Sequence, residues 1–164
     1  MTPRSLLLLA AVVVLSGRLS AEPLATPTGL KVVRVFTGWR DAASFKHISE
    51  YFTGREDTGH QTILRTHVDD RAGYYFLVRT NNAGGPVAAR INLQLILPAN
   101  TSVRHFTFPV NLGAGDTVLN LGLTGDDWPG ARTNPVAWKM DLVAADGRVL
   151  ASEKSYLWEK PADK

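Results

Sequence analysis

From residue 30 onward apolar and polar residues tend to alternate. At 87–97, Val87, Ala89, Ile91, Leu93, Leu95 and Leu97 fall on one side, and Arg90, Asn92 and Gln94 on the other. A period of two places the first set on a core and the second in water. Short apolar runs broken by Gly, Asn, Asp and Pro recur at 30–37, 61–68, 74–80, 103–110, 117–124, 136–144 and 149–158, and they predict strands. Tyr74, Tyr75, Phe76, Leu77 and Val78 do not alternate, which predicts a central strand covered on both faces or shielded at one end.

One segment changes period. Asp41 is a suitable N-cap, Ala42, Phe45, Ile48 and Phe52 recur at three- and four-residue spacing, and Gly54 is a suitable stop. This predicts one short helix, its narrow apolar stripe turned inward to cap an open end of the fold. The opposite face carries Lys46, His47, Ser49 and Glu50, without the basic excess typical of membrane-surface helices.

The last two strands can be read to their register. Ala145, Asp146 and Gly147 fit a three-residue loop closed by Gly147 in the left-handed conformation. That loop pairs Ala144 with Arg148, Leu142 with Leu150 and Lys139 with Glu153. It also puts Trp138 and Tyr156 on the buried side. Trp39 and Trp158 read as plugs at the core or its edge, since large aromatics dominate packing in small domains.

Eight short strands with one helix in a crossover predict an all-β fold. The architecture expected is an antiparallel immunoglobulin-like β-sandwich, with a small barrel or jelly roll as the alternative. The sequence has no cysteine, so the disulfide of antibody domains is absent and the likeness is architectural only. The domain is expected to span 29–160, after an extended lead-in at 22–28 and before a frayed tail at 161–164.

The first 21 residues have a different pattern. Arg4 is followed by an unbroken apolar run of ten, Leu6 to Leu15, and then by mostly small or polar residues to Ala21. This is the layout of a secretory signal peptide. The run is shorter than the roughly 20 residues a membrane-spanning helix needs. Cleavage after Ala21 is expected, with retention as an anchor the alternative. A lipid anchor is excluded, because Arg18 stands where the lipidated cysteine would be. The processed chain keeps 164 − 21 = 143 residues, enough for a core without disulfides. An exported chain of this size without cysteine points to a bacterial envelope or secreted protein, periplasmic or extracellular.

Charge adds an exclusion. Arg4 and Arg18 leave with the leader, so 18 − 2 = 16 basic residues remain against 15 acidic ones. A net charge near zero, with basic residues scattered singly, excludes a nucleic-acid footprint.

Candidate chemistry is sparse. His60 and His67 are seven residues apart, an odd separation that points them to opposite faces of one strand and argues against a shared metal. His67 with Asp69 or Asp70 is the nearest approach to a reactive cluster. Asp126, Asp127 and Trp128 form the most suggestive loop, with Trp128 as a flat platform for a sugar ring or partner side chain and the aspartates as polar contacts. The competing reading folds the Trp128 ring over the end of the core. Gly113, Ala114 and Gly115 resemble a phosphate loop but precede a strand rather than a helix. No hydrolase or zinc motif is present, and no metal or cofactor is expected. The function expected is an exported, non-catalytic binding or structural module with a protein or glycan partner. Two alternatives stand: a small secreted hydrolase using His67 with Asp69 or Asp70, and an edge-strand assembly or chaperone-like module.

Overall fold

The computed structural model describes residues 29–59 and 61–159. The leader, the lead-in, the tail at 161–164 and His60 lie outside the described residues. Two four-stranded sheets face each other, and neither closes into a barrel. The chain is an all-β sandwich. One sheet has the order β1 (Leu30–Arg40), β3 (Gly73–Asn82), β6 (Gly115–Thr124), β2 (Thr62–Arg65). The other has the order β5 (Asn100–Leu112), β4 (Val87–Leu97), β7 (Ala137–Ala144), β8 (Val149–Lys154). All ladders are antiparallel except β2 with β6, which run parallel. Among the described residues no helix is long and apolar enough to cross a membrane.

Alternation builds the core as expected. Ala89, Ile91, Leu93, Leu95 and Leu97 of β4 are buried, opposite Tyr74, Phe76 and Val78 of β3 and Leu119, Leu121 and Leu123 of β6. β3 is flanked by β1 and β6, and its outer face is also covered where Tyr75 lies, which explains why its apolar run does not alternate.

The last hairpin follows the expected register only near its loop. Gly147 is left-handed at φ 88°, and the Ala144 amide donates to the Arg148 carbonyl. A bulge then shifts the pairing by one, so Leu142 faces Ala151 and Met140 faces Glu153. The Lys139–Glu153 pair is therefore not formed. The extra residue lets Leu150 and Ala151 both pack against the core. The strand ends at Lys154, where Tyr156–Glu159 turns as a 3₁₀ helix and leaves Tyr156 fully exposed rather than buried. Trp138 is half-buried, with its ring edge-on to Phe76 at 5.7 Å.

The helical segment departs furthest from expectation. It breaks into a 3₁₀ turn at Ala42–Phe45 and a single short helix, α1 (Ile48–Thr53), with Lys46 extended between them. Asp41 caps the first piece by accepting from the Ser44 amide. Gly54 ends the second in the left-handed conformation. The segment lies over the outer face of the first sheet, where Gly38, Tyr75, Gly122 and Arg65 stand side by side across four strands. Gly122 has no room for a side chain, since a Cβ there would meet the Tyr75 ring at 2.5 Å. Phe45 packs on that ring at 4.6 Å and sits beneath the guanidiniums of Arg40 and Arg65.

An ion network holds the segment down. Arg65 donates from Nε to the Tyr75 hydroxyl and through both terminal nitrogens to Glu56. The hydroxyl in turn donates to the Arg71 carbonyl. Arg71 Nη1 donates to Glu50 at 2.6 Å. The Arg65 guanidinium holds Glu56 below the usual carboxylate range, and Arg71 does the same for Glu50. Burial pushes the Tyr75 phenol up. The polar residue Glu50, rather than an apolar stripe, is thus the inward anchor of α1.

Candidate functional site

The two sides of the sandwich differ. On one side β1 runs beside β8. On the other, the sheets end in β2, of four residues, and β5, of thirteen. A strand this short cannot cover its long neighbour across the gap, and a groove of about 500 Å³ opens there. Ile63, Leu64, Thr66 and Val68 form one wall, and His105 to Pro109 the other. Leu64, Phe106 and Phe108 make an apolar floor continuous with the core, while Val68 stands exposed at the rim.

A charged strap lies at Arg104, one end of the β5 wall. Arg104 occupies an inward position on β5, opposite Leu95. Its guanidinium covers the Phe106 ring at 5.0 Å and reaches the turn at Gly125–Asp127. There Nη1 donates to the Asp127 carbonyl at 2.8 Å, and Nη2 to the Asp127 carboxylate at 3.2 Å. The second carboxylate oxygen is 3.2 Å from His67 Nε2. One aspartate therefore joins the β2–β3 turn, the turn after β6, and β5.

The two turns nest because their backbones are stitched together. Thr124 Oγ1 accepts from the His67 amide and donates to the His67 carbonyl, both at 3.0 Å. Thr66 Oγ1 accepts from the Thr124 amide. Gly125 has φ 56°, and a Cβ there would meet Asp70 Oδ2 at 2.6 Å and the His67 ring at 3.0 Å. Both the backbone angle and the close approach demand glycine.

Three consecutive residues of the singled-out loop have three different surroundings. Asp126 is exposed, Asp127 is half-buried in the strap, and Trp128 is buried. The Trp128 ring stacks on Tyr74 at 4.3 Å and 20° and belongs to the core. It offers no open face, which corrects the expectation of a ligand platform. The turn at Gly125–Asp127 reverses the chain, and the next side chain falls back over Tyr74 of β3, a contact between segments far apart in sequence. The Trp128 indole N–H is buried with no hydrogen-bond partner among the described residues.

His67 also differs from expectation. Its carboxylate partner is Asp127, sixty residues along the chain, while Asp69 and Asp70 are exposed. Nothing local in the sequence marks that pairing or the role of Arg104. A charged residue at an inward position of an otherwise alternating strand was the one available signal. Among the described residues no three His, Asp or Glu side chains form a metal-ligating group. No protein-family model matches the chain, and no curated protein is similar to it in sequence.

Proposed function

We propose that the chain is an exported, immunoglobulin-like binding module that takes an extended segment of a protein partner into the groove between β2 and β5. The groove carries this reading: it is concave, has an apolar floor, and is rimmed by polar groups, as recognition sites are. Export is supported by the leader pattern. The architectural likeness is supported by strand order. β1, β3, β6 and β2 against β8, β7, β4 and β5 hold the places of A, B, E and D against G, F, C and C′. β2 departs from that scheme twice: it precedes the strand in the B place along the chain, and it runs parallel to β6.

A protein is favoured over a glycan because the aromatic platform a sugar would stack on, Trp128, is in the core. Edge-to-edge assembly through β5 is disfavoured. That strand is long, but the inward Arg104 and Pro109 are devices that blunt an edge. The hydrolase alternative keeps one observation in its favour, the His67–Asp127 contact. It requires His67→Gln to abolish turnover of a hydrolysable probe.

The test is a selection from a peptide display library on the chain from Glu22 onward, with a glycan array alongside. Selected peptides should lose at least about tenfold in affinity for Val68→Lys or Thr107→Lys, because charging the rim disrupts an apolar contact. The melting temperature of these variants should be unchanged, since both side chains are exposed. Peptides that bind both variants as well as the parent would refute the groove.

A further inference from the structure

Helix α1 is amphipathic in the wrong direction for a helix packed on a sheet. Ile48, Tyr51 and Phe52 share one face and are 78%, 78% and 85% exposed. The opposite face carries Ser49 and Glu50, which are held inward by Asp57 and Arg71. Isolated apolar side chains on a surface are ordinary, but three large ones grouped on a helix clamped in place mark a contact surface.

Charge identifies what the face meets. The carboxylates of the segment are already engaged: Glu50 with Arg71, Glu56 with Arg65, and Asp57 with Ser49 and the Gly59 amide. Lys46 and Arg55 flank the helix, are exposed, and form no ion pair among the described residues. Lys46, Arg55 and Arg71 line a pocket of about 180 Å³ with Glu50, Tyr51 and Gly54. The pocket opens at the foot of the apolar face.

A stable protein interface needs about 800 Å² from each partner, or some 20–30 residues, far more than this face supplies. Aromatic and aliphatic side chains dipping into a headgroup layer beside basic residues need only such a patch. The helix has no basic excess by composition, but Arg71 and Arg65 offset Glu50 and Glu56, and Lys46 and Arg55 are left to face the surface. We propose that α1 docks the domain on an anionic lipid surface. Ile48, Tyr51 and Phe52 enter the acyl boundary, and Lys46 and Arg55 meet lipid phosphates. The residues proposed to meet lipid are distinct from those lining the groove at the sandwich edge.

Co-sedimentation with vesicles tests the proposal. The chain from Glu22 onward holds every described strand and helix and lacks the apolar leader, which would partition by itself. It should sediment with phosphatidylglycerol-rich vesicles and much less with pure phosphatidylcholine, and the binding should weaken as salt is raised. Lys46→Glu with Arg55→Glu should weaken binding by about tenfold or more. Tyr51→Ser with Phe52→Ser should weaken it by a similar factor, roughly the loss expected for removing two inserted apolar groups. Both variants should melt as the parent does, and Val68→Lys should bind vesicles normally. The proposal fails if anionic vesicles are not preferred, or if both double variants bind like the parent. It also fails if sedimentation equilibrium shows a dimer that Tyr51→Ser with Phe52→Ser dissolves, because a second copy would then own the face.

Discussion

Replacing Trp128 by alanine separates a core residue from a ligand platform. The side chain is 5% exposed and stacks on Tyr74. A buried tryptophan removes about 150–250 Å² from water, which at about 25 cal/mol per Å² is roughly 4–6 kcal/mol as an upper bound. Measured truncations of this kind cost about 3–5 kcal/mol. One feature works against the full value. The indole N–H is buried without a partner, and such a group costs about 1–3 kcal/mol. Trp128→Ala should therefore destabilise by about 3 kcal/mol, lowering the melting temperature by roughly 6–12 °C for a domain of this size. Trp128→Phe keeps a ring on Tyr74 and removes the orphan donor, so it should stay within about 1 kcal/mol of the parent. Urea unfolding followed by far-ultraviolet circular dichroism measures both variants without relying on the tryptophan signal. A Trp128→Ala variant that melts with the parent, yet loses ligand binding, would refute the burial argument.

Four further outcomes follow from the ion networks and close contacts. Glu50 and Glu56 have lowered folded-state pKa values, so their contribution is complete above the usual carboxylate range and is lost as pH falls through the lowered values. Urea midpoints should drop on acidification, and Glu56→Gln should flatten that acid limb. Arg65→Met leaves Glu56 with only Arg71 Nε, at 3.6 Å, as an ion partner among the described residues, and removes the donor to the Tyr75 hydroxyl, which still donates to the Arg71 carbonyl. A buried pair costs about 3–5 kcal/mol to break, but Glu56 can turn to water, so about 2 kcal/mol is expected in equilibrium unfolding. Gly122→Ala drives a methyl into the Tyr75 ring and should cost about 1–3 kcal/mol, read as a lower melting temperature with Phe45 loosened in near-ultraviolet circular dichroism. Asp127→Asn releases His67 and weakens the Arg104 contact, for about 1 kcal/mol, and should speed amide hydrogen exchange at 125–127 while leaving β4 protected.

Strand identity was legible wherever alternation was strict, and β4 is the clearest case, because its side chains had to separate into core and solvent whatever their partners. The three-residue loop at 145–147 was legible as well, since Gly147 meets a purely local demand for a left-handed residue. The bulge at Leu150 was not, because it answers to the depth of the core beneath it. The helical spacing at 42–52 was real, yet it misled about direction. Phe45 goes in, Ile48 and Phe52 go out, and Glu50 becomes the anchor because Arg71, twenty-one residues away, awaits it.

The candidate sites divide the same way. Local spacing drew attention to 126–128 but did not distinguish an exposed Asp126 from a buried Trp128, because Tyr74 decides that and it belongs to another strand. His67, Arg104 and Asp127 meet only because β2 pairs in parallel with β6 and leaves β5 uncovered. By itself the order of residues determined the all-β class, most strand positions and the tight turns, which depend on neighbours within a few residues. Tertiary structure alone decided which faces are covered, which charges are paired and where the groove opens. Those outcomes depend on contacts between segments tens of residues apart, whose distances no local pattern encodes.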